Sequence, residues 1–332
     1  MKKFLLYLAL PAVIYSCGEA KSSEKEKSVT KQTEQPEQSI AITQESIKES
    51  LNYLSSDELQ GRKFGTEGIE KAANYIQKQF KKADLKPYFS TYRDSFTHNG
   101  KTGYNMVGFK EGNDPQLKNE IIVLGAHYDH IGIVPESKQV NGDSIANGAN
   151  DNAAGTVSIL ELAKQFSTKE TKRSLMFVLF SAEEEGLIGS KHLAERLAKE
   201  KASIYVMLNF EMIGVPLENT SYSAYLTGFE ESNLAEKFNE YADAEVFGFF
   251  EKAKEFQLFK RSDNYPFYQE MKVPAQTLCT FDFSNYPYYH HVDDEAKLMD
   301  VSHMKNLIDK VIPGIEGMAN STEKEIQLNE NN

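Results

Sequence analysis

Apolar positions along this chain recur with two different periods. Ile69, Ala72, Ala73, Ile76 and Phe80 fall on one helical stripe, which predicts a helix over Ile69–Ala83. Ala153–Phe166, with Ile159, Leu160, Leu162, Ala163 and Phe166 on a broad apolar face, predicts another. Leu187–Lys199 and roughly Val301–Met318 read as two more. Between these lie short apolar runs at Tyr104–Phe109, Ile121–Ala126, Leu175–Phe180, Ile204–Phe210 and Ala275–Phe281, which read as strands. Leu175–Phe180 has no polar position at all, as expected of a strand covered on both faces. The alternation predicts an α/β fold, a three-layer α/β/α sandwich around a largely parallel mixed sheet. Ligands of such sheets gather beyond the carboxyl ends of the strands.

The two ends of the chain read differently. Lys2 and Lys3 precede an apolar stretch, Phe4–Tyr15, too short to span a membrane stably. Ile14-Tyr15-Ser16-Cys17-Gly18 resembles a bacterial lipobox, so residues 1–16 are expected to be a lipoprotein signal peptide and Cys17 the lipidated residue. Residues 17–39, rich in Ser, Glu, Lys and Gln, read as a flexible tether. One folded domain is expected over residues 40–318, and a disordered tail over 319–332. This organisation places the protein outside the cytoplasm, lipid-anchored to a bacterial cell-envelope membrane, with membrane contact only through Cys17. Cys279 is the second of two cysteines and reads as a small buried hydrophobe, with no disulfide. The net charge of -12 argues against a nucleic-acid binder.

Polar residues that carry chemistry sit at the ends of the apolar runs. His127 and Asp129 follow one strand; His can ligate a metal while Asp braces its other ring nitrogen or the local backbone. His130, beside them, reads as a rim residue. Asp151 precedes a helix, where it is either an N-cap or a carboxylate bridging two metals. Glu183, Glu184 and Glu185 are a solvated turn or a site in which Glu184 ligates and Glu183 serves as general base. Glu211 closes a buried strand. His290 or His291 offers a further ligand, Asp294 a brace for it, and Tyr289 a donor to an oxyanion.

Taken together and in order, these stretches resemble the co-catalytic dizinc aminopeptidases of the MH clan, metallopeptidase family twenty-eight. The matching runs are Leu59-Gln60-Gly61-Arg62, Gly125 to Asp129, Gly148 to Gly155, Phe180 to Gly186 with Ser190, Asn209 to Gly214, Arg261-Ser262-Asp263, and His290 to Asp294. The resemblance implies a zinc-exopeptidase-like fold and two Zn2+ ions. It implies that His127 and Glu211 hold one zinc, that Glu184 and His290 hold the other, and that Asp151 bridges them. Glu183 is then the base and acid, and Tyr289 stabilises the tetrahedral intermediate. His290 is preferred over His291 because the family's ligand lies four residues before an Asp, here Asp294. Arg261, Ser262 and Asp263 are expected near the substrate pocket. Two positions depart from the pattern: Glu211 stands where the family usually has Asp, and His291 where it has Ser or Thr.

The resulting expectation is a zinc-dependent exopeptidase, an aminopeptidase acting on peptides. A single-zinc glutaminyl-peptide cyclotransferase shares the scaffold, and an inactive surface binding module is a third reading. Phe247, Phe249, Phe250, Phe256, Phe259 and Phe267 are either core residues or the walls of an apolar specificity pocket.

Overall fold

A computed structural model describes residues 41–330; the expected signal peptide, Cys17 and the expected tether lie outside the described residues. The helices are α1 (Gln44–Leu54), α2 (Glu67–Lys82), α3 (Ala154–Ser167), α4 (Ile188–Lys199), α5 (Leu234–Ala242), α6 (Glu251–Glu255), α7 (Asn264–Met271) and α8 (Val301–Asn320). The strands are β1 (Lys86–Pro87), β2 (Arg93–His98), β3 (Lys101–Lys110), β4 (Glu120–His127), β5 (Gly132–Ile133) and β6 (Ile145–Ala146), then β7 (Ser174–Phe180), β8 (Ser203–Glu211), β9 (Ala224–Leu226), β10 (Phe247–Gly248) and β11 (Ala275–Cys279).

One sheet runs in the order β1-β3-β7-β4-β8-β11-β9-β10, with β2 also paired to β3. Its centre, β7-β4-β8-β11, is parallel, while β1, β2 and β7 pair with β3 antiparallel, as does β9 with β11. The mixed three-layer α/β sandwich is therefore the architecture the alternation predicts.

Strand period decides which layer each side chain enters. On β7, Leu175, Phe177 and Leu179 join the core beneath α1, α2, α3, α5 and α8, while Met176, Val178 and Phe180 face α4 and α7. On β4, Ile122, Leu124 and Ala126 go one way and Ile121 and Val123 the other. β8 breaks the rule once. Its register to β4 jumps from Ile204 to Val206, so Tyr205 and Val206 both enter the larger core, as a bulge requires.

That bulge has a consequence at the C-terminus, where the expected disordered tail is corrected. The Tyr205 hydroxyl accepts the amide of Ile326 at 3.0 Å, and Ile326 is buried. Arg173, itself buried, donates to Met318 O at 3.0 Å and to Glu120 at 2.8 Å, tying the end of α8 to β4. The polar composition of this segment hides the one isoleucine that anchors it.

The parallel centre sends β4, β7, β8 and β11 to the same edge. Their carboxyl ends deliver His127, the 181–186 loop, Glu211 and the 280–294 loop to one place. Ala182, Met212 and His290 turn through left-handed backbone there, at φ 60, 47 and 55. Non-glycine residues in that region cost about 1–3 kcal/mol each and cluster where a loop is held to a task.

Candidate active site

Beyond that edge, two groups of side chains converge. One ligand atom from each of His130, Asp151, Glu184 and His290 lies within 4.8 Å of the others; so do atoms from His127, Glu183 and Glu211. Asp151 joins the two. Its Oδ1 lies 3.3 Å from His127 Nε2, and its Oδ2 lies 3.2 Å from His290 Nε2 and 3.7 Å from His130 Nδ1. Glu184 Oε2 is 3.1 Å from His290 Nε2.

Each donor is aimed by a second group. His127 Nδ1 donates to the backbone carbonyl of Asp129 at 3.2 Å, which turns Nε2 toward Asp151. The Asp129 carboxylate does not do this job; Oδ1 is 3.8 Å from the ring. It accepts instead from the amides of Glu183 at 3.1 Å and Glu184 at 3.3 Å, holding the glutamate loop. Asp294 likewise does not brace a histidine. It takes the amides of Asn150 and Asp151 at 2.8 and 3.0 Å, and the Tyr286 hydroxyl at 2.7 Å, so it clamps the backbone that carries Asp151. His291 Nδ1 accepts the amide of Asp293 at 3.1 Å, away from the cluster that His290 joins.

Arg62 ties the loops together. Wholly buried, it donates to Tyr128 O at 2.9 Å, Asn147 O at 2.6 Å, Gly148 O at 2.9 Å, and Leu54 O. Gly61 delivers it there: φ is +65, and a Cβ would lie 2.3 Å from Ala146 O.

The electrostatics record a surplus of negative charge. Burial pushes Glu211 and Asp263 up to about 7 and Asp129 to about 6, with His127 opposing in each case. Burial raises Glu183 well above the carboxylate range, His127 opposes, and Glu211, Asp263 and Glu184 add to the rise. Burial disfavours charge on His290, yet its hydrogen bonds to Asp151 and Glu184 carry it to about 10. The same field raises His127 against its burial, through Glu183, Asp151 and Asp129. Buried carboxylates in such number call for cations.

The donor set fits a metal. His127 Nε2 and Asp151 Oδ2 are buried without a hydrogen-bond partner, although the first lies 3.3 Å from Asp151 Oδ1 and the second 3.2 Å from His290 Nε2. Imidazole nitrogen and carboxylate oxygen, with no thiolate, is zinc chemistry of the hydrolytic kind. Cys279 lines the neighbouring cleft but is inert, because burial pushes its thiol up to about 12.

The cleft holds a cavity of about 90 Å³ that opens to solvent. Asp151, Glu183, Glu184 and Glu211 form its acidic end; Met212, Tyr225, Leu258, Phe281, Phe283 and Tyr289 form apolar walls. Tyr289 is half-exposed and its ring stacks on His290 at 4.0 Å. Burial raises its phenol, and neighbouring carboxylates add to this, so it stays a hydrogen-bond donor.

Several sequence expectations are corrected here. His130 is not a rim residue: it is 1% exposed, with Nδ1 3.0 Å from Glu184 Oε1. Arg261 and Ser262 line the cleft, but Asp263 is fully buried and does not line it. Of the six phenylalanines weighed as a pocket, Phe247, Phe259 and Phe267 are core, and none lines this cleft. Arg62, Asn147 and Gly148 have no periodic signal; the Leu59–Arg62 and Gly148–Gly155 runs pointed to the first and last of them, and nothing pointed to Asn147.

The model of peptidase family M28 matches residues 105–313. The chain is 33% identical over 178 residues to leupeptin-inactivating enzyme 1 of Streptomyces exfoliatus, covering 53% of this chain and 36% of that protein. It thus spans about a third of the length of the first curated relatives it matches. Its fold is that of a zinc aminopeptidase from Bacillus subtilis, at TM-score 0.67 and 16% identity, over 86% of this chain and 97% of the other. A glutaminyl cyclase from Porphyromonas gingivalis shares it too, at TM-score 0.63 and 14% identity, over 82% and 97%.

Proposed function

The chain belongs to peptidase family M28, and from that premise we propose that it is a zinc-dependent aminopeptidase. The observation that carries this reading is Asp151, whose two oxygens face two separate imidazole groups, 3.3 Å to His127 and 3.2 Å to His290. A carboxylate so placed would serve both groups of metal ligands.

In this reading His127, Asp151 and Glu211 would hold one zinc, and Asp151, Glu184 and His290 would hold the second. Bound there, zinc supplies a Lewis acid that polarises a carbonyl and makes water acidic near pH ~7. The chain's own groups do the rest. Glu183, on the loop that Asp129 fixes, takes the proton from the attacking water and returns it to the leaving amine. The Tyr289 phenol donates to the oxygen that becomes negative in the tetrahedral stage. The acidic end of the cleft receives the protonated amino terminus of the peptide, and the apolar walls receive the first side chain. Arg261 and Ser262 stand beside that side chain.

The test is hydrolysis of leucyl-p-nitroanilide and of its N-acetylated form. Only the free amine is expected to react, and Glu183→Gln is expected to lower kcat by roughly 10²–10⁴ while zinc is retained. Equal cleavage of both substrates, or an active Glu183→Gln, would sink the proposal.

We also place the protein on a cell-envelope membrane through a lipid on Cys17, on the strength of the Lys2-Lys3 and Ile14–Gly18 pattern. Palmitate incorporation that persists in Cys17→Ser would contradict this.

A further inference from the structure

We propose that His130 is a fourth protein ligand of the second metal position, closing it as His130, Asp151, Glu184 and His290 and leaving the open coordination position on the His127–Glu211 side. This rests on the zinc reading above.

Four observations carry it. His130 Nδ1 lies 3.0 Å from Glu184 Oε1 and 3.7 Å from Asp151 Oδ2, the same two carboxylates that His290 Nε2 meets at 3.1 and 3.2 Å. The two rings stand edge to face at 5.6 Å, so their nitrogens point into one space from different sides. The ring is 1% exposed, so its Nδ1 meets these carboxylates and not solvent. The backbone is also built to admit it. Gly148, at φ +60, lies where a Cβ would come 2.6 Å from two ring carbons of His130, and the His130 amide is held by Arg62 O at 3.4 Å.

The two metal positions then differ in kind. Two imidazoles and two carboxylates fill a tetrahedral zinc, as in sites that hold metal without exposing it to substrate. The other position has His127, Glu211 and the shared Asp151, three protein ligands and room for a fourth partner. Glu183 lies on that side, grouped with His127 and Glu211 within 4.8 Å. The closed position anchors the loops, and the open one lies beside the base.

The experiment is zinc stoichiometry and chelator competition on the full chain, for wild type, His130→Ala and His130→Asn, together with the visible spectrum of the Co2+-substituted proteins. Loss of an outer hydrogen-bond partner weakens metal sites about 10–100-fold, so loss of a direct ligand is expected to weaken zinc binding at the His130, Asp151, Glu184 and His290 position at least about 100-fold. Both variants are expected to do so, with a weaker Co2+ band as solvent expands the coordination sphere. Asn is included because it preserves a hydrogen bond to Glu184 without supplying an imidazole. Wild-type affinity and spectrum in His130→Asn would show that His130 only positions Glu184, and would overturn the inference. Unchanged affinity in both variants would overturn it too, while wild-type zinc content would leave the parent reading standing. A wild-type chain that binds no zinc would overturn both.

Discussion

Arg62→Lys keeps the charge and removes the shape. The guanidinium reaches four backbone carbonyls, those of Leu54, Tyr128, Asn147 and Gly148, from three separate stretches of chain. An ammonium on a flexible stem cannot meet acceptors arranged around a planar fork. If it satisfies two of them, two charged hydrogen bonds are lost, each worth about 1.5–3 kcal/mol, for a total of about 3–6 kcal/mol. Against a domain stability of about 5–15 kcal/mol that is a large fraction. Burial lowers the Arg62 pKa to about 10, with Asp294, Asp151, Asp129 and Glu184 opposing, so the native group is charged at neutral pH. The chain has no tryptophan, so urea unfolding is followed by circular dichroism. Zinc content is expected to fall with stability, because Arg62 joins the loop of His127 to the loop of Asp151. A loss under about 1 kcal/mol with full zinc content would refute the reasoning.

Two further outcomes follow from the charged groups. Zinc binding must displace protons, since Glu211 sits near 7 and His290 near 10 before it. Affinity is expected to tighten between pH 6 and pH 8 by about tenfold per unit for each proton released, measured by chelator competition; a flat profile would contradict it. On the sheet's other flank, burial works against the Asp94 carboxylate, but hydrogen bonds from His192, Asn105 and Arg196 outweigh it and hold its pKa below the usual range. A carboxylate with a depressed native pKa adds stability above its unfolded value of about 3.9 and loses it as pH falls through the native value. Asp94→Asn is therefore expected to cost about 1–3 kcal/mol at pH 7, with the gap to wild type closing below about pH 4. A gap that is constant with pH would show that the charge is not what matters.

How far the sequence reveals this molecule depends on which forces are local. β4, β7 and β8 were legible because burial on both faces leaves an unbroken apolar run. His127, Asp151, Glu184, Glu211 and His290 were legible as strand-end or helix-start residues, and the sheet brings all five together. His130 was not, because a lone imidazole after a strand has no period, and the family pattern marks no ligand there. Its one signal is the pair of histidines three apart in His127-Tyr128-Asp129-His130. Asp294 was misassigned for a different reason: its partners, the amides of Asn150 and Asp151, lie more than 140 residues earlier. Two-residue strands such as β1, β5, β6 and β10 carry too few positions for any periodicity. Asp263 shows the limit of motif reasoning, since its adjacency to Ser262 said nothing of which side chain faces the cleft.

The most direct test of the dizinc reading is elemental analysis joined to reactivation. The metal-stripped chain is titrated with zinc while leucyl-p-nitroanilide hydrolysis is followed. Two zinc ions per chain with activity restored, and the same two in an inactive Glu183→Gln, are the predicted result. One zinc, no anilide hydrolysis and cyclisation of N-terminal glutamine would contradict it.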